Sequence, residues 1–331
     1  MPDKVEFILL DYHSTDGLEE WVKTLQNYID IGILHYYRTD VPAHYHRSHS
    51  RNMVFRLSNA EIVCNLDADN YLGKGFAEYV LKEFESTKER ILITSDFRNG
   101  DIFGRFCALK SDFMDIRGYN ELLAGYGNED SDLFRRMINH GLQHKAFYHR
   151  DFYKVITHSY ADRITQESYY HSLDNLYLSY LSPFSTHFLA LHKDYTYESA
   201  ILINKKSRDY NVRKPFINLL ESASDSTNPI ILGSTLQTGT WTKIGEHIQI
   251  TFNHQPFKFL ETDKIIRIEG RHFYKIEVED ILPYFVVSLS TARNHEKTKQ
   301  WIASNSLVNP AGFGIGMVYK NFDFTNPVTL D

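Results

Sequence analysis

The first half of the chain alternates short apolar runs with amphipathic stretches, and that alternation leaves few folds open. Residues 5–10 form an apolar run, closed by the turn-rich His13-Ser-Thr-Asp-Gly17. Leu18, Trp21, Val22, Leu25 and Ile29 then recur at helical spacing, which predicts a helix over 18–31. A second strand is expected over 32–37, a helix over 53–60, and a buried strand over 61–66 that runs into Asp67. Another helix over 75–87 precedes strands over 91–94 and 104–109, and 131–140 reads as helix. Strands alternating with helices build βαβ units, so the expected class is α/β, with a mixed, mostly parallel sheet flanked by helices. One last helix is expected over 162–181, broken at Pro183. Beyond it come β-type runs at 197–203, 248–252, 264–268 and 284–288, and a short helix near 295–303. This reading gives a first domain over 1–184 and a β-rich C-terminal domain over 185–331.

Charge and composition exclude several classes. The 36 Lys+Arg stand against 42 Asp+Glu, a net charge of -6. A general nucleic-acid binder needs a basic excess to displace phosphate counterions, so no nucleic-acid partner is expected. No apolar run approaches the roughly 20 residues that span a bilayer, and the N-terminus lacks a signal peptide's regions. The expectation is no transmembrane segment and a cytoplasmic setting. Cys64 and Cys107 both lie in apolar stretches and read as reduced thiols.

Asn65-Leu-Asp-Ala-Asp-Asn70 is the most informative stretch. A buried strand delivers Asp67 and Asp69 to its C-terminal end, where open α/β sheets bind their ligands. Alternate residues on extended chain point the same way, so both carboxylates can face one ligand. Two carboxylates and a diphosphate repel unless a divalent cation lies between them, so the implied ligand is a metal–diphosphate. A calcium loop does not fit, because Leu72 stands where its sharp turn needs Gly. The second constellation is Gly125-Tyr-Gly-Asn-Glu-Asp130, at the start of the 131–140 helix. Its glycines allow close backbone approach. A helix N-terminus holds Glu129 or Asp130 ionised, which suits a general base, although a plain N-cap would explain one of the two.

Taken together, these motifs resemble a GT-A (Rossmann-like) glycosyltransferase, similar to glycosyltransferase family 2 and to the galactosyltransferase-like branch of that fold. Leu10-Asp-Tyr-His-Ser-Thr-Asp-Gly17 is similar to the family's second-strand motif, which implies that Asp11 contacts the nucleoside. Arg51-Asn52 resembles the pair that opens the helix before the metal strand, with Arg51 also on the nucleotide side. Leu66-Asp-Ala-Asp69 resembles the Asp-x-Asp motif, implying that Asp69 binds metal and Asp67 contacts metal or ribose. Gly125 to Asp130 resembles the acceptor-side Gly-Trp-Gly-Gly-Glu-Asp motif. There Asp130 would be the base of an inverting transfer, Glu129 would position the acceptor, and Tyr126, in the Trp position, would bind the nucleotide sugar. Val155-Ile-Thr-His-Ser159 resembles a late segment supplying a histidine metal ligand, which points to His158, with His149 as its rival. The resemblance implies a nucleotide-sugar donor, a UDP-sugar first, a glycan or other hydroxyl acceptor, and Mn²⁺ or Mg²⁺.

The likeness covers about residues 5–180 and starts at what is similar to the family's second strand, with no counterpart of the first before Val5. The alternative expectation is therefore a non-catalytic nucleotide- or carbohydrate-binding protein, a degenerate transferase. A glycoside hydrolase using Glu129 and Asp130 fits poorly, since adjacent residues at a helix start rarely flank a sugar at roughly 5–10 Å. His44, His46 and His49 are read as substrate-facing or exposed. Gly312-Phe-Gly-Ile-Gly316 is not a dinucleotide fingerprint, as no helix and acidic partner follow it.

Overall fold

The computed structural model describes residues 5–95, 102–204, 230–304 and 306–331. The chain forms two compact units. One takes the described residues of Met1–Ala124, Asn128–Ser159 and Trp301–Asp331; the other takes Gly125–Gly127 and Tyr160–Gln300.

The first unit begins with β1 (Phe7–Tyr12), α1 (Leu18–Lys23), α2 (Gln26–Asp30), β2 (Leu34–Thr39), α3 (Arg47–Leu57) and β3 (Ile62–Cys64). It continues with α4 (Phe76–Glu85), β4 (Ile91–Ser95), β5 (Phe106–Leu109), α5 (Lys110–Asp115), α6 (Glu129–Asn139) and β6 (Gln143–Phe147). One sheet has the order β3-β5-β4-β6. Its alternating side chains explain the two helix layers. Leu92, Phe106 and Ala108 pack with Phe55, Phe113, Leu133, Phe134 and Met137 from α3, α5 and α6. Ile91, Ile93 and Cys107 point the other way and pack with Phe76 and Val80 of α4 and with Phe152.

The second unit holds α7 (Tyr160–Ile164), α8 (Ser168–Ser172), β7 (Leu173–Ser182), β8 (Ser185–His192), β9 (Thr196–Asn204) and β10 (Ile230–Leu232). After these come β11 (Gln237–Ile244), β12 (His247–Phe252), β13 (Gln255–Leu260), β14 (Ile265–Ile268), β15 (Arg271–Lys275) and α9 (Leu282–Ser304). The strands pair in the order β13-β12-β11-β9-β8-β7-β15-β14, with β10 on β9, every pairing antiparallel. Leu289 and Ala292 of α9 pack on Leu176, Leu178, Phe188, Ala200 and Leu202 of that sheet.

The chain then returns. β16 (Gly316–Lys320) and β17 (Asp323–Leu330) extend β1 and β2 into a sheet of order β1-β2-β16-β17. Asn321 and Phe322, at φ 50 and 67, make the two-residue turn between them. Val318 and Leu330 join Tyr37, Met53 and Leu57 in one buried cluster.

Several expectations need correction. The expected sheet was mostly parallel, yet in the first unit only β1–β2 and β4–β6 pair in parallel, among the described residues. The pairings β3–β5, β4–β5, β2–β16 and β16–β17 are antiparallel. A parallel crossover needs a dozen or more residues, usually with a helix, and the stretch from Ser95 to Phe106 is shorter than that. The boundary expected at 184–185 falls instead at 159–160, and 301–331 belong with the first unit. The helix expected over 162–181 is α7, α8 and then β7; Pro183 sits in the β7–β8 hairpin turn. The strand expected over 284–288 lies inside α9. Its neighbours Val286, Val287, Leu289 and Ser290 are all buried, so the helix reads locally as an unbroken apolar run. The β-rich character of the second half is as expected.

Candidate active site

Helix α3 places the central cation. His46 caps it, its Nδ1 accepting from the His49 amide at 3.3 Å. His46 Nε2 lies 3.1 Å from the Glu121 carbonyl, and His49 stands between Tyr12 Oη at 2.8 Å and the Ile315 carbonyl at 2.9 Å. These two histidines therefore strap the helix start. Burial holds the His46 imidazole below its ordinary value.

One turn on, Arg51 is buried and bridges two of the expected site residues. Its Nη1 donates to Asp130 Oδ1 at 2.9 Å and its Nη2 to Asp67 Oδ1 at 2.7 Å. Its guanidinium stacks 5.2 Å from the Tyr119 ring centroid, and Tyr119 Oη donates to Asp130 Oδ1 at 3.1 Å. Asn65 Nδ2 adds a second donor to Asp67 Oδ1 at 3.1 Å. Glu129 Oε1 lies 3.6 Å from both Arg47 Nε and Arg51 Nη1, while its buried Oε2 has no hydrogen-bond partner. Three carboxylates thus share two guanidinium groups.

That imbalance separates the acids. For Asp67, burial works upward, but the charge and hydrogen bond of Arg51 outweigh it, and the carboxyl sits below its ordinary value. For Asp130, burial leads again, and the charges of Glu129 and Asp67 add to it. Arg51 only partly offsets them, and the carboxyl is pushed up to about 7. Two titratable groups driven apart in one site is the pattern that assigns acid–base roles.

Gly104 supplies the room. A Cβ there would stand 3.0 Å from Asp130 Oδ2, 3.2 Å from Asp67 Oδ2 and 3.3 Å from Arg51 Nη2. The carboxylate oxygens not held by Arg51 therefore face the same bare backbone. Asn52, next to Arg51, fastens the opposite wall. It donates to the Tyr119 carbonyl at 2.9 Å and Glu121 Oε1 at 2.8 Å, and accepts from the Tyr119 amide at 2.8 Å. Gly118, at φ +62, allows that approach, since a Cβ would fall 2.3 Å from Asn52 Oδ1.

Asp69 and His158 meet by backbone pairing. The Tyr71 amide donates to the Lys154 carbonyl at 3.0 Å and the Ile156 amide to the Asp69 carbonyl at 2.8 Å, with an antiparallel bridge between Asn70 and Val155. This brings His158 Nε2 to 3.1 Å from Asp69 Oδ2, both about one-third exposed. Arg105, buried below this loop, donates to Asn70 Oδ1 and the Tyr71 carbonyl, each at 3.0 Å. The rival His149 is exposed, 3.9 Å from Asp151, with its ring against Phe152 at 4.9 Å. A carboxylate oxygen and an imidazole nitrogen side by side and reachable from solvent are donors for a divalent transition metal. Asp67 is not gathered with them. Among the described residues, three metal-capable groups lie within 4.8 Å of one another at Asp112, Asp115 and His140 instead.

Asp11 stands apart from the Arg51 cluster. Asp11 is fully buried and accepts from the Ser14 amide and hydroxyl, Tyr36 Oη and Arg38 Nη1, at 2.6 to 2.8 Å. Burial opposes its charge, but these donors win and hold the carboxyl below its ordinary value. It thereby orders the turn that starts at Tyr12. Tyr126 belongs to the second unit. Its amide donates to Ser290 Oγ at 3.2 Å, its carbonyl accepts from Ser290 and Thr291, and Arg163 stacks on its ring at 5.5 Å. Asn294 Nδ2 donates to the Gly127 carbonyl at 2.9 Å. Helix α9 thus grips the Gly125–Gly127 loop, and a Cβ on Gly127 would lie 2.7 Å from Thr291 Oγ1.

A protein-family model described as the N-terminal domain of galactosyltransferase matches residues 97–159. The segment includes Gly104, Tyr119, Glu129, Asp130 and His158, and over it the chain is similar to galactosyltransferases. No curated protein matches it significantly. Solved structures similar to parts of it include two of Drosophila β1,4-galactosyltransferase 7. One, a mutant in complex with manganese, UDP-Gal and xylobiose, is 15% identical over 48% of this chain and 74% of that one, with a TM-score of 0.34. The other, a catalytic domain in complex with xylobiose, is 17% identical over 49% and 76%, with a TM-score of 0.35.

Proposed function

We propose that the chain transfers a sugar from a UDP-sugar to a hydroxyl of a glycan acceptor, in a single displacement that inverts the anomeric carbon. The observation that carries this reading is the pairing of a depressed Asp67 with an Asp130 pushed up to about 7, their free oxygens facing Gly104. A base is most effective when its own value lies near the working pH.

Asp130 Oδ2 takes the acceptor proton while the acceptor oxygen bonds to the anomeric carbon and the bond from that carbon to the diphosphate breaks. Arg51 and Tyr119 hold Asp130 Oδ1, so the second oxygen keeps its aim. Glu129, with an unpartnered buried oxygen, orients the acceptor hydroxyl. Asp67 receives the ribose side of the donor. Asp69 and His158 would hold Mn²⁺ or Mg²⁺, which when bound neutralises the departing diphosphate. Asp11 serves the nucleoside side by ordering its turn.

The test is transfer itself. Purified chain is given UDP-Gal and other UDP-sugars with Mn²⁺ and a panel of glycan acceptors, and product is followed by mass with its anomeric form by NMR. Transfer with inversion is expected. Tight UDP binding with no transfer to any acceptor favours the non-catalytic reading, and a retained anomer removes the single displacement.

A further inference from the structure

We infer that Cys64 and Cys107 form a dithiol site that closes to an intramolecular disulfide when the protein meets a two-electron thiol oxidant. The register of β3 on β5 sets Cys64 directly opposite Cys107. The Asn65 amide donates to the Phe106 carbonyl at 2.9 Å and the Lys110 amide to the Glu61 carbonyl at 2.7 Å. Those bonds flank the Cys64–Cys107 and Ile62–Leu109 pairs and make both of them non-hydrogen-bonded pairs. At such pairs the Cα atoms approach to about 4.5 Å and side chains on one face come closest. That spacing lies inside the roughly 4.4–6.8 Å that a disulfide spans. The two Sγ atoms are 2.8 Å apart.

Core packing accounts for only one of the two. Cys107 is fully buried among Phe76, Ile93 and Phe147, as a small apolar side chain would be. Cys64 is exposed and belongs to no buried cluster among the described residues. The exposure gives the pair an order of attack. The Cys64 thiolate adds to the oxidant, and Cys107 Sγ then attacks Cys64 Sγ. With a diazene such as diamide, the sulfur–nitrogen bond of the adduct breaks, the S–S bond forms, and both thiol protons end on the reduced hydrazine. Burial pushes the Cys107 thiol up, so it serves as the resolving partner and not the first nucleophile.

The experiment treats the full native chain with diamide, quenches in acid, unfolds, alkylates free thiols and maps the cysteine peptides by mass. The expected result is joint loss of both thiols in a monomer two hydrogens lighter, with one cross-linked peptide pair. In Cys64→Ser the remaining thiol should stay alkylatable. Two free thiols after treatment, modification of Cys64 alone, or covalent dimers as the main product would each overturn the inference. None of these readouts depends on sugar transfer.

Discussion

Arg51 Nη1 holds Asp130 Oδ1 at 2.9 Å, yet Asp130 still retains its proton to about pH 7. Arg51 and Arg47, two cations, do not balance the three carboxylates Asp67, Glu129 and Asp130. The acid left under-compensated is Asp130, whose second oxygen faces the bare backbone of Gly104.

Asp130→Asn keeps the shape but cannot accept a proton. Metal–UDP binding, measured by calorimetry, should stay within a few-fold of the parent while transfer falls about 10²–10⁴-fold. The parent's kcat/KM should rise with pH through about 7, as Asp130 loses its proton, and the variant should lack that limb. The folded chain holds this proton between pH 3.8 and about 7 where the unfolded chain does not. Stability should therefore fall as pH rises across that window, and Asp130→Asn should flatten the fall. Loss of UDP binding in the variant would assign Asp130 to the donor side.

Asp69→Ala should abolish the metal dependence of UDP binding, and His158→Ala should weaken metal-supported binding more than His149→Ala. The 3.1 Å Asp69–His158 approach and the exposed, Asp151-facing His149 set that order. Equal UDP affinity with Mn²⁺ and with EDTA in the parent would remove the metal–diphosphate reading.

Gly104→Ala tests the gap between the carboxylates. The added methyl falls 3.0 Å from Asp130 Oδ2 and must displace it, so transfer should drop roughly tenfold to a hundredfold, the scale of small misplacements in an active site. Full activity in this variant would show that the free oxygens do not need the gap.

Glu198→Gln tests the second unit. Glu198 accepts from Tyr169 Oη at 2.8 Å and lies 3.4 Å from Arg293 Nη1, whose guanidinium stacks 4.0 Å from the Tyr169 ring centroid. Burial works against the Glu198 charge, but Arg293 outweighs it and the carboxyl sits at about 2. Its contribution is complete above about pH 4.5 and is lost as pH falls through about 2. The variant removes the Glu198 charge beside buried Arg293 and should lower stability by about 1–3 kcal/mol near neutral pH, read by denaturant unfolding. A loss below about 1 kcal/mol would mean that the network relaxes around the amide.

Much of the candidate site was legible because its residues sit in short contiguous motifs. Asp67, Asp69, Glu129 and Asp130 could be picked out where strands end and helices start, and Arg51 and His158 through family likeness. Gly104 and Tyr119 were missed. A glycine that leaves space, and a tyrosine whose hydroxyl reaches an acid folded against it, carry no local pattern. The fold shows the same limit. Strands β1 to β5 and helices α4 and α6 follow from periodicity within a few residues of their observed ends, while α3 begins at Arg47, well before the expected 53. The partner of β2 could not be read, because β16 is far away in sequence and pairing leaves no mark on composition. Helix α9 misled for the opposite reason. Apolar and aromatic residues crowd Tyr284 to Leu289, and periodicity alone does not separate a buried helix from a buried strand.

The return of the chain end has a practical meaning for anyone dividing this gene. Tyr36 exchanges hydrogen bonds with Asn321, Arg56 binds the Phe313 and Gly314 carbonyls, and Arg117 binds those of Val308 and Asn309. A fragment stopping at residue 184 would leave these donors, the open edge of β2 and the apolar seats of Val318 and Leu330 facing water. Such a clone should yield aggregate, since an unpaired strand edge recruits neighbours. An internal excision follows the division of the chain better: removing 160–300 keeps 308–331 with the strands and helices they pair with.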